Sequence, residues 1–265
     1  MYTARVQRRV AFALLLPLVA CGQLWAALEL LGLTLRPPAL VFAVEGACIV
    51  ASVVYAVKRR PAADEPPELA RWWRPGVGVF LVWAVLYFAA GHVTDASNAR
   101  TFDDGILARV PLLPAFAPIY LGVHVFGVIP FCVMPEVRFL RRHLLGAVLI
   151  VVLSSVLWVA LPVRVDRPAI DPAAAGFGAW LLRGVYGFDP TTNCFPSAHC
   201  AIAVYAAIGL RFSSRGLFGW GIVTAVLVCI STVLTHQHYV ADVLSGAVLA
   251  MLCAYGTAVR RRPPH

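Results

Sequence analysis

Charged side chains are scarce in this chain of 265 residues. Only 13% of its residues are Asp, Glu, Lys or Arg, whereas 60% are hydrophobic and the mean hydropathy is +0.80. A water-soluble domain of this size could not bury so much apolar surface. Long uncharged runs recur along the sequence, and each is about as long as a helix that crosses a bilayer. The composition therefore predicts an all-α fold, a polytopic transmembrane helical bundle.

Acidic residues are the rarer charged type: 13 Asp and Glu stand against 22 Lys and Arg, which gives a formal net charge of +9. Such an excess is compatible with nucleic-acid binding. The basic residues, however, stand in short clusters between apolar runs, which is the usual orienting signal of membrane loops. We therefore predict a membrane protein without a nucleic-acid partner.

The seven cysteines include no Cys-x-x-Cys pair, so neither a structural zinc site nor a redox pair is indicated. His236 and His238 could ligate a metal in isolation, but no carboxylate or cysteine cluster completes such a site. We expect no metal and no cofactor. The N-terminal apolar run lacks a clear small-residue cleavage site, so it is interpreted as a retained membrane helix.

The apolar runs predict about eight spans. They run approximately over Val10–Leu31, Ala39–Val57, Val77–His92, Leu112–Met134, Leu144–Leu161, Ser197–Phe212, Leu217–Thr235 and Tyr239–Val259. A polar, proline-rich linker at 61–68 divides them. We expect residues 1–75 to form a two-span hairpin with its linker, and residues 76–265 to form a six-span catalytic domain with a six-helix core.

The basic residues orient this arrangement. With the N-terminus in the cytoplasm, most of the 22 basic residues face the cytoplasm, in agreement with the positive-inside rule. The opposite side keeps Arg36, Arg100, Arg109, Arg164, Arg167 and Arg183. We therefore predict a multi-pass plasma (inner) membrane protein with both termini cytoplasmic. The segments around Arg167, 195–199 and 236–242 then lie together on the outer face.

The longest outer loop contains a possible helix at Ala173–Tyr186. Its apolar positions, Phe177, Trp180, Leu181 and Val185, favour a helix that lies on the membrane surface. An ordinary cap over the bundle explains the same pattern equally well.

The first chemically informative pattern is His238-Tyr-Val-Ala-Asp242. Residues four apart on a predicted helix share a face and can touch. An Asp that accepts a hydrogen bond from one imidazole nitrogen leaves the other free to attack or to move a proton. A satisfied polar pair at a helix end accounts for the spacing equally well.

The second pattern, Phe195-Pro-Ser-Ala-His199, is typical of a helix start. Ser197 is a good N-cap and Pro196 a good first-turn residue, and a helix N-terminus is an anion site. His199 in the first turn can act as a general acid towards a bound phosphate. Taken alone, a capping serine beside an interfacial histidine is the commoner explanation of this motif.

The third pattern is Arg167-Pro168, at the end of the fifth predicted span. The residue before proline is held extended, and a guanidinium suits bidentate phosphate binding. Arg164 is a nearby alternative, and arginine at a helix end is often a lipid-headgroup contact. The candidate headgroup contacts are Asp103, Arg109, Arg164 and His236.

These three patterns, in this order and on one predicted membrane face, resemble the signature of the type-2 phosphatidic acid phosphatase superfamily. That family includes lipid phosphate phosphatases and lipid phosphotransferases. The resemblance covers roughly residues 106–259 and leaves the two N-terminal spans outside. It implies an integral-membrane enzyme that acts on phospholipid or lipid-phosphate esters through a phosphohistidine intermediate, with a lipid as substrate and, for transfer, a second lipid as acceptor.

The chain departs from the family's pattern at three positions. The lysine of the first motif would fall at Ala160, the glycine of the second is Ala198, and the arginine of the third is Thr232. Two cationic phosphate ligands are therefore absent. Together with Thr-His-x-His-Tyr-x-x-Asp over 235–242, this pattern looks more like the inositol phosphorylceramide synthase branch, whose members transfer a phosphorylated headgroup between lipids.

The resemblance also implies roles for the site residues. His238 would be the nucleophile, Asp242 would orient it, and His199 would protonate the leaving alcohol. The phosphoryl oxygens would be held by Arg167, Ser197 and Ala198. The residues alone do not decide which histidine attacks, and only the pairing with Asp242 favours His238. The sequence carries no signal of oligomeric state.

Two other classes of function stay open at this point. In a transporter or a non-catalytic lipid-binding protein, the polar rim would contact headgroups. A transporter, however, needs charge at mid-membrane, and this chain concentrates its polar cluster at the surface. A metal-dependent membrane hydrolase would lose activity with a chelator. Within the leading class, the two missing cations favour transfer of a phosphodiester group, with simple phosphate removal as the close rival.

Overall fold

The computed structural model describes residues 2–33, 71–102, 105–171, 173–174 and 176–259, with scattered positions between 43 and 54. The predicted second span lies for most of its length outside the described residues, as do the proline-rich linker and Asp103. The structure is 74% helical. Its described part has no strand, only the isolated bridges Arg100–Val163 and Val163–Asn193. The predicted all-α fold is confirmed.

The described helices follow one another along the chain in this order. They are α1 Tyr2–Leu30, α2 Trp73–Val93, α3 Ala117–Phe126, α4 Ile129–Val133, α5 Val137–Ala160, α6 Phe177–Phe188, α7 Ala198–Leu210, α8 Arg215–Leu234 and α9 Val240–Ala254. Two 3-10 turns, Leu107–Arg109 and Pro114–Phe116, precede α3. A π-helical turn, Tyr255–Val259, extends α9.

Membrane-spanning character is concentrated in five helices of the described chain. The stretches long and apolar enough to cross a bilayer are Arg8–Leu30, Trp73–Val93, Val137–Ala160, Arg215–Leu234 and Val240–Thr257. Pro114–Phe126 and Ala198–Leu210 are apolar but shorter. The predicted count of eight spans is therefore not confirmed. Large apolar side chains such as Val85 and Leu252 point outwards, as they do on lipid-facing helix surfaces.

The predicted fourth span, 112–134, is broken into a 3-10 turn, α3 and α4. Proline explains the breaks, because Pro114 and Pro130 each stand at the first positions of a new helical piece and cannot donate a backbone hydrogen bond. Between α3 and α4, a Cβ on Gly127 would lie 2.7 Å from the Ile202 side chain. Glycine therefore lets this broken segment lie directly against α7.

Helices α7 and α9 approach each other closely where the second and third motifs lie. A Cβ on Gly246 of α9 would come within 2.3 Å of the Ser197 carbonyl oxygen. The Ser197 N–H donates to the Asp242 carbonyl oxygen at 3.0 Å. Backbone contact, and not only side-chain packing, therefore fixes the distance between the two motifs.

Helix α1 packs against the rest of the bundle. Gln23 donates to the Thr224 hydroxyl at 2.8 Å and accepts from the Trp220 indole at 3.3 Å, which joins α1 to α8. The Glu29 carboxylate accepts from the backbone N–H groups of Phe177 and Gly178 at 2.6 and 3.1 Å, so it caps α6. The division at residue 75 into hairpin and catalytic domain stays a prediction.

Candidate active site

Three extended segments meet at the end of the bundle that carries the motifs. The Arg164 N–H donates to the Arg100 carbonyl at 2.7 Å, and the Cys194 N–H donates to the Val163 carbonyl at 3.3 Å. These bonds align the first motif beside the segment that leads into α7. Residues about thirty positions apart in sequence are thus brought side by side.

The second motif begins α7, as the sequence predicts for a capping serine. The Ser197 hydroxyl accepts from the Cys200 N–H at 3.3 Å, and Ala198 is the first residue of the helix. The Trp158 indole donates to the Pro196 carbonyl at 3.1 Å, which ties the motif to α5. The first N–H groups of a helix have no intrahelical acceptor, so this start is suited to an anion.

His199 lies in an aromatic cage. Its ring stacks on Tyr120 with centroids 4.3 Å apart, and His124 and Trp83 meet it edge-on at 5.2 and 6.1 Å. Only 2% of its surface is exposed. Its Nδ1 has no hydrogen-bond partner among the described residues. Packing therefore orients this ring and leaves its Nδ1 available to a ligand.

The third motif is a tight reversal between α8 and α9. The Thr232 carbonyl accepts from the N–H groups of both Gln237 and His238, at 2.9 and 3.2 Å. His236 takes the left-handed conformation, with φ 50°, and its Nε2 lies 3.0 Å from the Val110 carbonyl oxygen. The reversal turns His238 towards α7 while His236 is fixed to the loop before α3.

His238 and Asp242 lie side by side without a close hydrogen bond, but His238 precedes α9 and does not lie on the helix, contrary to the prediction from their spacing. The His238 Nδ1 is 3.6 Å from Asp242 Oδ2, an ion-pair separation beyond ordinary hydrogen-bond length. The same carboxylate oxygen accepts from the Tyr239 N–H at 2.9 Å and so caps α9. Asp242 is fully buried, and the rings of His238 and His199 are 5.7 Å apart.

Arg167 reaches the same region, but the protein already occupies most of its donors. Its terminal nitrogens donate to the Asp189 carboxylate at 3.1 Å, to the Asp189 carbonyl at 2.8 Å and to the Gln237 amide oxygen. Its guanidinium also stacks 5.2 Å above the Tyr186 ring. The Arg167 Nε, although buried, has no hydrogen-bond partner in the described chain.

Asp189 is a residue of this site that sequence reasoning missed. Besides Arg167, it accepts from the hydroxyl groups of Tyr87 and Tyr120, at 2.6 and 3.1 Å. A single Asp before a proline in a loop gives no pattern signal. The sequence indicates only that the loop containing Asp189 lies on the same predicted outer face as the motifs. Gln237, between the two histidines of the third motif, was likewise not singled out.

The remaining predicted contacts lie at the rim. Arg164 pairs with Asp166 at 3.3 Å, and Arg109 is an exposed residue at the end of its 3-10 turn. A shallow rim pocket is lined by His236 and Tyr239, among others. These residues surround the site without joining its buried centre.

Cys194, His238 and Asp242 form a group that the sequence did not reveal. One potential ligand atom from each lies within 4.8 Å of the others. Cys194 is distant in sequence, so no motif spacing links it to the other two. Burial, followed by the Asp242 charge, raises the pKa of the Cys194 thiol well above its usual value. The shift applies to the metal-free group, because a bound cation would itself lower the pKa of the thiol.

Two tyrosines at the site's edge stay neutral near pH 7. Burial raises the pKa of Tyr186 to about 12, although the Arg167 charge opposes the shift. Burial also raises the pKa of Tyr239. Neither ring therefore adds a negative charge beside Arg167 or Asp242.

Residues 140–262 match the model of the PAP2 superfamily. The matched segment begins within α5 and includes Arg167 and both histidine motifs, whereas α1 to α4 precede it. The match does not distinguish the inositol phosphorylceramide synthase-like branch. No curated protein and no solved structure matches the chain. The match covers under half of the 265 residues, and over that segment the chain is similar to the PAP2 superfamily.

Proposed function

We propose that this protein transfers a phosphorylated group from a lipid ester to the hydroxyl of an acceptor through a phosphohistidine intermediate. The observation that carries the proposal is the facing pair His199 and His238. Their buried rings are 5.7 Å apart at one end of the bundle, with Asp242 3.6 Å behind His238. A phosphorus atom between two imidazoles can be attacked from one side while its leaving oxygen is protonated from the other.

In the first step the His238 Nε2 lone pair forms a bond to phosphorus. The bond between phosphorus and the lipid oxygen breaks, and that oxygen takes its proton from His199. The Asp242 carboxylate stabilises the positive charge that develops on the His238 ring. In the second step the acceptor hydroxyl gives its proton to His199 and attacks phosphorus, and the P–N bond breaks. Water as acceptor gives hydrolysis, and a lipid alcohol gives transfer.

The phosphoryl oxygens would be held by the α7 N-terminus, at Ser197 and Ala198, and by Arg167. The helix start supplies N–H groups and the positive end of the helix dipole. Two cationic ligands found in the family's pattern are replaced here by Ala160 and Thr232. The groups that would hold the phosphoryl oxygens therefore carry little positive charge. A diester monoanion needs less positive charge than a monoester dianion, which favours transfer of a phosphodiester group.

An apolar cavity supports a lipid as substrate. It lies between α2, α3, α5 and α7, and Trp83, His124 and Ile202 contribute to its lining. Trp83 and His124 also contact the His199 ring. With a volume of about 50 Å³ the cavity has room for the end of a hydrocarbon chain, which would lie beside the proposed general acid.

The side of the membrane is part of the proposal. The distribution of basic residues supports cytoplasmic termini and a site on the outer face. A membrane-impermeant maleimide tests this in intact cells. A cysteine placed at Ala108, in the exposed turn beside the site, should be labelled from outside, whereas one placed at Arg215 should need permeabilised cells.

The test of the chemistry uses purified full-length protein and a phospholipid radiolabelled on phosphorus, with and without ceramide, diacylglycerol or a prenol. We expect an acceptor-dependent labelled product, together with an acid-labile label on the protein that His238→Asn abolishes. Phosphate release that no acceptor alters would sink the transferase version. Full activity in both His238→Ala and His199→Ala would sink the mechanism, whereas no turnover by the wild type would favour a binding protein or transporter.

A further inference from the structure

Asp189 holds an unusual position for a carboxylate near a phosphate site. It accepts three side-chain hydrogen bonds: from Tyr87 at 2.6 Å, from Tyr120 at 3.1 Å and from Arg167 at 3.1 Å. The Arg167 and Asp189 side chains are only 8% and 7% exposed. These hydrogen bonds therefore form a network inside the protein and not an ion pair at its surface.

The network limits what Arg167 can offer a ligand. Both terminal nitrogens of its guanidinium donate to protein oxygens, of Asp189, Pro190 and Gln237. The buried Nε has no partner in the described chain. A guanidinium free to bind phosphate would present two parallel N–H groups. Arg167 instead keeps its Nε–H as the donor without a protein acceptor, and its charge is already balanced by a carboxylate.

A single aromatic ring separates the Asp189 carboxylate from His199, the proposed general acid. Tyr120 donates to Asp189 and stacks on His199 at 4.3 Å. Tyr87 donates to Asp189 and meets the His199 ring edge-on at 6.4 Å. The negative charge of Asp189 therefore lies one side chain away from His199, the proposed general acid.

We propose that Asp189 sets the charge that the site accepts: by balancing Arg167, it favours phosphodiester monoanions and disfavours phosphomonoester dianions. This inference rests on the proposed function. A monoester phosphate has a second pKa of about 6, so it carries close to two negative charges at pH 7, while a diester carries one. The second charge is repelled by Asp189 in a site of low dielectric constant. Asp189 acts through Arg167, as a positioning residue.

The experiment is a competition between two lipids with identical acyl chains, phosphatidic acid and phosphatidylmethanol, in one reaction with the full-length protein. They differ by one methyl group and one charge. The ratio of their rates gives the ratio of kcat/KM and cancels effects common to both. For the wild type at pH 8 we expect the diester to be preferred, by about tenfold or more.

Asp189→Asn keeps an oxygen that can accept from Tyr87 or Arg167 but removes the charge. We expect it to shift the ratio about tenfold towards the monoester. Asp166→Asn is the matched control, since Asp166 is a carboxylate next to Arg167 in the chain whose side chain is 76% exposed. Tyr87→Phe removes a hydrogen bond to Asp189 without changing charge. Both controls should leave the ratio unchanged.

A measurement on the wild type alone avoids any folding defect of the variant. Below about pH 6 the monoester becomes a monoanion, so its disadvantage in the competition should fade between pH 8 and pH 5. The titratable or charged groups that face Asp189 are Tyr87 of α2, Tyr120 and His124 of α3, Arg167, and Cys194. If Asp189→Asn folds, its ratio of the two rates should change less between pH 8 and pH 5 than the ratio of the wild type.

The outcomes separate this inference from the proposed function. Turnover of both lipids, with a ratio that neither pH nor Asp189→Asn alters, would overturn the role of Asp189 and leave the enzyme intact. A shift in the same direction in Asp166→Asn would also overturn it. No turnover of either lipid by the wild type would overturn the proposed function and this inference together.

Discussion

The ring of His199 lies nearly parallel to the ring of Tyr120, with centroids 4.3 Å apart. No hydrogen bond to a described residue fixes the Nδ1 of this histidine. The stack on Tyr120 is therefore a main determinant of the direction in which His199 can deliver a proton.

Removal of this stack should lower the rate of the chemical step. Tyr120→Ala leaves His199 free to rotate, and we expect kcat to fall roughly 10- to 100-fold, since misplacement of a catalytic group by about an ångström costs about that much. Tyr120→Phe keeps the stack and should lose far less. Steady-state kinetics on both variants checks this. Equal losses in the two variants would show that the hydroxyl, and not the ring, matters.

Asp242 has two separable tasks, and two substitutions distinguish them. Asp242→Asn retains an oxygen that can accept from the Tyr239 N–H and so keeps the cap of α9, but it loses the charge beside His238. We expect roughly a 10²- to 10⁴-fold loss of kcat with little change in thermal stability. Asp242→Ala loses the cap as well and should lower the free energy of unfolding by about 1 kcal/mol. Wild-type activity in Asp242→Asn would contradict the proposed role of the charge.

The chemical motifs were readable from the sequence because each is short and local. The capping position of Ser197 depends on helix geometry alone, whereas His238 precedes α9 and is brought beside Asp242 by the reversal between α8 and α9. Asp189 could not be predicted, since its importance comes from contacts with Tyr87, Tyr120 and Arg167, which lie 102, 69 and 22 residues away in the chain. The broken fourth span shows the same limit. Its prolines predicted an irregular start, but its pieces are all apolar, so hydropathy predicted one continuous span.

Gly246 should tolerate no side chain. A Cβ there would lie 2.3 Å from the Ser197 carbonyl oxygen, so Gly246→Ala must push α9 away from α7. We expect loss of activity and a clear fall in melting temperature. Gly219→Ala is the matched control, because a Cβ at that position of α8 meets nothing within 4 Å. In a helix that change should be neutral or stabilise by about 0.5–1 kcal/mol. A Gly246→Ala protein that melts and works like wild type would show that α7 and α9 are not held this closely.

A chelator should leave the activity unchanged. The proposed mechanism uses His238 as the nucleophile and Asp242 to stabilise its positive charge, so it leaves neither side chain to bind a metal ion. Activity of the purified protein after dialysis against EDTA, with and without added Zn²⁺ or Mg²⁺, measures this. Loss of activity that a divalent ion restores would support a metal-dependent hydrolase instead.

Glu29 links the first helix to the site through α6. Its carboxylate accepts from two backbone N–H groups at the start of α6, and Tyr186 near the other end of α6 stacks on Arg167. Glu29→Ala leaves those N–H groups without their acceptor, which should lower the free energy of unfolding by about 1–2 kcal/mol. A loosened α6 should also raise KM more than it lowers kcat, because Tyr186 no longer steadies Arg167. Thermal unfolding and steady-state kinetics measure the two effects, with Glu29→Gln, which can still accept a hydrogen bond, as the control. If Glu29→Ala matches the wild type in both, the cap that Glu29 places on α6 does not steady Arg167.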